Sequence, residues 1–352
     1  MRVKLTYQQI CNITQGAAYI SEEDGCAVFH RFTKEQEELY HRTNPSFYRK
    51  ALAPAGVILQ FRTDSCCVTL KGETSMASTR TYYSIDVLED GVPAGHVDNF
   101  SQLILPEDYT KCACQLGDFS KTIALKAGMK TVTICMPWSV QVMLKELSLS
   151  DGSTIVPDSP QKKVLAFGDS ITQGYDALRP MNRYVFQLAR SLNAAEYNKA
   201  IGGEVFFPAL ASTREDWTPD LILVAYGTND WSKSGRDTFL ENARMFLRTL
   251  RDEYAGAKLF VMQPIWRKDR DSQREYGTFD LMRQDLAQIC SELDLQTISK
   301  ATGVNVTDIP EALDYWVNLE VLQKNQSGFS PAEAEGFSAQ NNSNSEIKLR
   351  CT

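Results

Sequence analysis

Histidine is scarce in this chain of 352 residues. His30, His41 and His96 are the only three, so none lies beyond the first hundred positions. No His-Glu-x-x-His pattern and no Cys-x-x-Cys spacing occurs, which removes the usual zinc and dithiol sites. The Walker phosphate loop, the Gly-x-Gly-x-x-Gly turn and the Gly-x-Ser-x-Gly elbow are missing as well, and nothing in the sequence asks for a metal or a cofactor. No apolar run approaches the length of a membrane span. The first ten residues lack the apolar core of a signal peptide, which predicts a cytoplasmic protein. Acidic residues outnumber basic ones, 44 to 37, for a net charge of -7. That balance argues against nucleic acid and anionic membrane surfaces as partners. Nine cysteines cannot all pair within one chain, and reduced thiols packed as small apolar groups are expected.

The length suggests two domains. Short runs rich in β-branched and aromatic residues occupy positions 56–62, 67–70, 82–88, 122–125 and 131–135, separated by turn signals such as Asp90-Gly91 and Ala127-Gly128. Their spacing predicts an all-β sandwich or jelly roll over residues 1–155. The polar segment Val156 to Lys163, with Pro157 and Pro160, reads as the linker to a second domain at 156–352. Beyond it, strand-like runs alternate with helical patterns at 183–192, 239–250 and 279–293, which implies a parallel sheet with right-handed crossovers.

Three of these runs end in glycine-containing turns. Val164-Leu165-Ala166-Phe167 leads into Gly168-Asp169-Ser170. Asn198-Lys199-Ala200-Ile201 leads into Gly202-Gly203. Leu221-Ile222-Leu223-Val224-Ala225 leads into Tyr226-Gly227-Thr228-Asn229-Asp230. In an open parallel sheet all three turns converge on the carboxyl rim, where such sheets bind ligands. Ser170 then opens a helix, offering a hydroxyl and an unpaired backbone N–H on one residue. Either Gly202 or Gly203 can bring its amide close to a ligand, lacking a Cβ. Asn229 can donate two N–H bonds without adding charge; a helix cap or Asx-turn is its structural alternative.

In this order and spacing the three blocks closely resemble the SGNH (GDSL) hydrolases, a family of serine esterases, lipases and deacetylases. The resemblance spans roughly residues 160–337 and implies a three-layer α/β/α flavodoxin-like domain. It further implies that Ser170 is the nucleophile. The N–H groups of Ser170 and Gly203 and the amide of Asn229 then form the oxyanion hole. A β-sandwich followed by such a domain resembles several bacterial carbohydrate esterases. Hydrolysis of a carboxylic ester follows from the resemblance, with an acetyl group on a carbohydrate as the expected substrate. Asp169, Trp231 and Trp266, at or beside the motif ends, are candidate substrate-binding residues.

The fourth block of that family breaks the pattern. Its Asp-x-x-His-Pro aligns with Ser327-Gly328-Phe329-Ser330-Pro331, so Ser327 stands for the aspartate and Ser330 for the histidine. A hydroxyl has no proton affinity near neutral pH, whereas imidazole titrates there. Three readings stay open: a non-catalytic carbohydrate- or ester-binding protein that keeps the pocket, a histidine borrowed from the N-terminal domain or a second subunit, or a changed C-terminus. His41, among Tyr40, Arg42, Thr43 and Asn44, reads as a polar-loop residue. The Ser/Asn-rich tail from Ser338 replaces the family's closing helix, which only Glu346 to Arg350 could continue.

Overall fold

Alternating apolar positions and Asp-Gly turns organise the first half of the chain. The computed structural model describes residues 2–101, 113–265, 267–298, 337–341 and 347–351. In chain order the N-terminal strands are β1 (Arg2–Lys4), β2 (Thr14–Gln15), β3 (Tyr19–Glu23), β4 (Cys26–His30), β5 (Ile58–Thr63), β6 (Cys67–Met76), β7 (Ser84–Glu89), β8 (Val92–Asp98), β9 (Gly117–Ala124), β10 (Lys130–Cys135), β11 (Val140–Ser150) and β12 (Ile155–Pro157). They form two antiparallel sheets. One has the order β3-β4-β11-β6-β9 with β1 on β11; the other has the order β12-β5-β10-β7-β8 with β2 on β5. Asp24-Gly25 and Asp90-Gly91 both take positive φ, which suits the tight hairpins β3–β4 and β7–β8. Side chains from both sheets, among them Phe29, Leu70, Val142, Phe61, Val87 and Ile134, share one apolar core. Val156 and Pro157 pair with Arg62 and Phe61. The expected linker is therefore shorter than residues 156–163, because its first two residues belong to an edge strand, where proline is tolerated.

The second half is built on β13 (Lys162–Gly168), β14 (Ala194–Asn198), β15 (Leu221–Ala225), β16 (Lys258–Met262) and β17 (Gln296–Ile298). All pair in parallel, in the order β14-β13-β15-β16-β17, the flavodoxin-like strand order. The helices are α1 (Tyr7–Ile13), α2 (Lys34–Thr43) and α3 (Pro45–Ala51) in the first half, then α4 (Ser170–Gln173), α5 (Tyr184–Ser191), α6 (Pro208–Ala211), α7 (Asp230–Lys233), α8 (Arg236–Glu253) and α9 (Phe279–Glu292). Successive residues of β13 point to opposite faces. Val164 and Ala166 pack with Val185 and Leu188 of α5. Leu165 and Phe167 pack with Phe246 and Leu250 of α8 and Met282 and Leu286 of α9. Helices thus cover both faces of the sheet.

The second of these cores also contains Phe32, Tyr40 and Ala51. Helices α2 and α3, though early in sequence, therefore pack on the parallel sheet's unit. Arg31 ties them there: its fully buried guanidinium donates to the carbonyls of Ala53, Asn198 and Ala200 at 2.8–2.9 Å. Near the end of the chain, β18 (Phe337–Asn341) and β19 (Ile347–Cys351) pair antiparallel. The anticipated helical continuation at Glu346 to Arg350 is replaced by a strand, in keeping with the alternation Ile347-Lys348-Leu349-Arg350. Among the described residues no helix is long and apolar enough to cross a membrane.

Candidate active site

Each of the three motif blocks closes a strand at the carboxyl rim of the parallel sheet. After β13, Gly168 lets the chain pass tightly: a Cβ there would meet Thr172 Oγ1 at 2.4 Å and the Ala225 carbonyl at 2.8 Å. Asp169 caps α4, its Oδ1 accepting the Ile171 N–H at 3.0 Å. Asp169 is 2% exposed, and its carboxylate is turned back on the helix start it caps. The structure places it as a turn-building residue at the site's wall, beside Ile171, Tyr226 and Thr228. Ser170 follows as the first residue of α4 and is half-buried. Neither its hydroxyl nor its N–H has a hydrogen-bond partner among the described residues.

The second block is laid along β13. Lys199 N–H donates to the Ala166 carbonyl at 2.7 Å and Ile201 N–H to that of Gly168 at 3.0 Å. Gly202 N–H donates to Gln173 Oε1 at 2.7 Å, and the same amide donates from Nε2 to the Trp138 carbonyl at 3.0 Å. The two glycines are therefore not equivalent. Gly203, with φ +91°, keeps an N–H without an acceptor among the described residues. In the third block Asn229 is half-buried and makes no side-chain cap to α7. Its Nδ2 donates to the Glu204 carbonyl at 3.0 Å, which leaves a second N–H on that nitrogen. Asp230 clamps the two loops together, Oδ1 accepting from Phe206 N–H and Oδ2 from Gly227 N–H, each at 3.0 Å.

Sequence reasoning missed Asp230 and Glu204. Glu204 accepts from Tyr40 Oη at 2.6 Å and from Tyr226 Oη at 2.7 Å, joining α2 to the end of β15. The available signal was an acid set directly against the apolar run Val205-Phe206-Phe207. Burial pushes Asp169 up to about 6, opposed by the Ile171 N–H. Burial pushes Asp230 up to about 7, with the charge of Asp169 adding to it. Burial likewise pushes Glu204 up to about 8 against the tyrosine hydroxyls. All three folded-state values exceed the unfolded ones, near 4. The native state then binds more protons between about pH 4 and pH 8, and stability should fall as pH rises through that window. All three shifts act in the same direction, so their losses reinforce one another. Urea unfolding at pH 5 and pH 8 measures it, and Glu204→Gln should flatten the decline; an unchanged slope in the variant would count against the assignment.

Trp231 is completely buried. Helix α7 turns it inward, its Nε1 donates to the Gly277 carbonyl at 3.1 Å, and Arg267 and Arg274 lie over its ring at 5.1 and 5.0 Å. It is a packing residue, and the expectation of a stacking face in the cleft is corrected. Trp266, Ser327 and Ser330 lie outside the described residues. Of the histidines, His30 is held by Glu37 at 2.8 Å and Ser21 at 2.9 Å, and His96 by Asp86 at 3.0 Å. His41 sits in the last turn of α2, edge-on to Tyr48, and not in a loop. None of the three hydrogen-bonds to Ser170.

Residues 166–318 match the GDSL-like Lipase/Acylhydrolase family. The chain carries a GDSL-like lipase/acylhydrolase domain. This agrees with its resemblance to the SGNH hydrolases. An acetylxylan esterase / glucomannan deacetylase of Cellvibrio japonicus is 26% identical over 165 residues, 36% of this chain and 46% of that protein. The chain thus spans about half the length of that curated relative. Among solved structures, the salicylyl-acyltransferase SsfX3 from a tetracycline biosynthetic pathway superposes with a TM-score of 0.70 at 21% identity, over 84% of each chain. A GDSL-like lipase from Bacteroides ovatus gives 0.65 at 18%, over 84% of this chain and 86% of that one. A family two carbohydrate esterase from Cellvibrio japonicus gives 0.55 at 18%, over 85% and 88%. At these identities the structural likeness shows the fold shared by the GDSL domain and its neighbours.

Proposed function

We propose that the protein is a serine carboxylic-ester hydrolase and that its GDSL domain takes acyl groups from carbohydrate esters. The observation that supports this most is a hydroxyl and unused donors on one rim of the parallel sheet. Ser170 Oγ, Ser170 N–H and Gly203 N–H have no partner among the described residues, and Asn229, on the same rim, keeps one amide N–H beyond its bond to the Glu204 carbonyl. In this reading Ser170 Oγ forms a bond to the acyl carbon while the carbonyl oxygen takes up negative charge. The three donors stabilise that charge where it develops. Collapse of the intermediate breaks the ester C–O bond, and the alcohol leaves carrying the proton that Ser170 Oγ gave up, relayed by solvent water. A second water then hydrolyses the acyl-enzyme, its oxygen passing to the acid and one proton returning to Ser170 Oγ. The two N-terminal sheets we read as a β-sandwich of the jelly-roll kind, attached to the catalytic unit through α2 and α3.

Initial rates on a short-chain aryl ester test the proposal. Ser170→Ala should remove all turnover above the uncatalysed rate, with an unchanged melting temperature. Equal rates for the two proteins would leave the pocket as a binding site only. That second reading draws its support from the histidines, since none bonds to Ser170 in the described residues.

A further inference from the structure

Two ammonium groups stand over the Gly202-Gly203 turn, and among the described residues neither is in contact with a carboxylate. Lys50, on α3, donates to the Gly202 carbonyl, and Lys233, at the end of α7, donates to the Gly203 carbonyl, each at 2.5 Å. A Cβ built on Gly203 would lie 3.3 Å from Lys233 Nζ, 3.6 Å from Lys50 Nζ and 3.9 Å from the Phe47 ring. Both charges therefore flank the glycine whose N–H is unused. Burial and the neighbouring Lys233 hold Lys50 below the usual lysine range. Among the described residues no carboxylate lies within 4 Å of either Nζ. The acids of this region are buried and hydrogen-bonded elsewhere, Glu204 with Tyr40 and Tyr226, Asp230 and Asp169 with backbone N–H groups; Glu204 acts on Lys50 and Asp169 on Lys233 only through space. An ammonium has three N–H donors, and the backbone carbonyl takes one from each lysine. Like charges held side by side repel, and an anion placed between them reverses the sign of that interaction.

We propose that Lys50 and Lys233 form a seat for a carboxylate carried by the substrate, so that the preferred substrate is an ester bearing a negative charge close to its acyl carbon. The position of the acyl carbon rests on the Ser170 reading above; the carboxylate seat itself does not. In a chain of net charge -7 the two lysines are a local inversion of sign beside the rim. They come from opposite halves of the chain, so the N-terminal segment takes part in choosing the substrate.

Binding to Ser170→Ala protein tests this without requiring turnover. Three amide analogues are titrated by calorimetry: succinanilic acid, with a carboxylate on the acyl side; 4-acetamidobenzoate, with one on the leaving-group side; and neutral acetanilide. One of the two anions should bind at least about tenfold tighter than acetanilide, and which one does tells the side on which the charge sits. The advantage should shrink with added salt and vanish in Lys50→Met with Lys233→Met. Should that pair fail to fold, the exposed Lys233→Met alone must lose part of it. Equal affinity or no binding for all three analogues, or an advantage that survives the methionines, overturns the proposal. A carboxylate preference in a protein that hydrolyses no ester would overturn the esterase reading and leave the seat standing.

Discussion

Ser327→Asp combined with Ser330→His is expected to raise hydrolysis of a short acyl ester at least about a hundredfold over the unmodified chain. In the sequence resemblance these two serines align with the aspartate and histidine of the SGNH pattern. Under the proposed reading the nucleophile and the oxyanion donors are already in place, so proton transfer is the missing step. General base catalysis contributes about a hundred- to ten-thousand-fold, and groups that act as a unit return more together than singly. The gain should require Ser170 and disappear when Ser170→Ala is added. It should also follow the ionisation of an imidazole, rising as pH passes upward through about 6–7. A folded double variant with no gain would show that Ser330 is not the position of the lost base.

Asn229→Ala, made in that repaired background, should lower kcat by about a hundred- to a thousandfold and leave KM little changed. That is the usual effect of removing one oxyanion donor whose bond forms only in the transition state. The same substitution also deletes the 3.0 Å bond to the Glu204 carbonyl, which alone contributes only about 1 kcal/mol to stability. A small shift in melting temperature with a large fall in kcat separates the two roles. A loss confined to KM, or a loss below tenfold, would take Asn229 out of the oxyanion hole.

The parts of the site that were legible beforehand are those written in contiguous sequence. Val164 to Phe167 and Leu221 to Ala225 are apolar runs as long as a buried strand, and each closes in a turn with a glycine. Such runs carry their own periodicity, so β13, β15, α5, α8 and α9 fall close to the residues expected for them. The early strands were harder to read. Tyr19–Glu23 is largely polar and becomes a strand because Cys26–His30 pairs with it. Cys26–His30 in turn lies beside Val140–Ser150, more than a hundred residues later.

The sequence alone determined the parallel sheet, the order of its motifs and that the turns carrying Ser170, Gly203 and Asn229 follow strands on one rim. Each of these follows from local pattern and from the rule that parallel strands all end on the same side. Only the tertiary structure decided which glycine N–H has no acceptor among the described residues, since Gln173 takes that of Gly202. Packing against α9 decided that Trp231 is core. Chain reversal through α2 and α3 brought Lys50 and Tyr40 to partners 152 and 164 residues away. The reason is the same in all three cases. Hydrogen-bond partners and burial are properties of side chains meeting in space, and residues far apart along a chain carry no local signal of which neighbour they will meet.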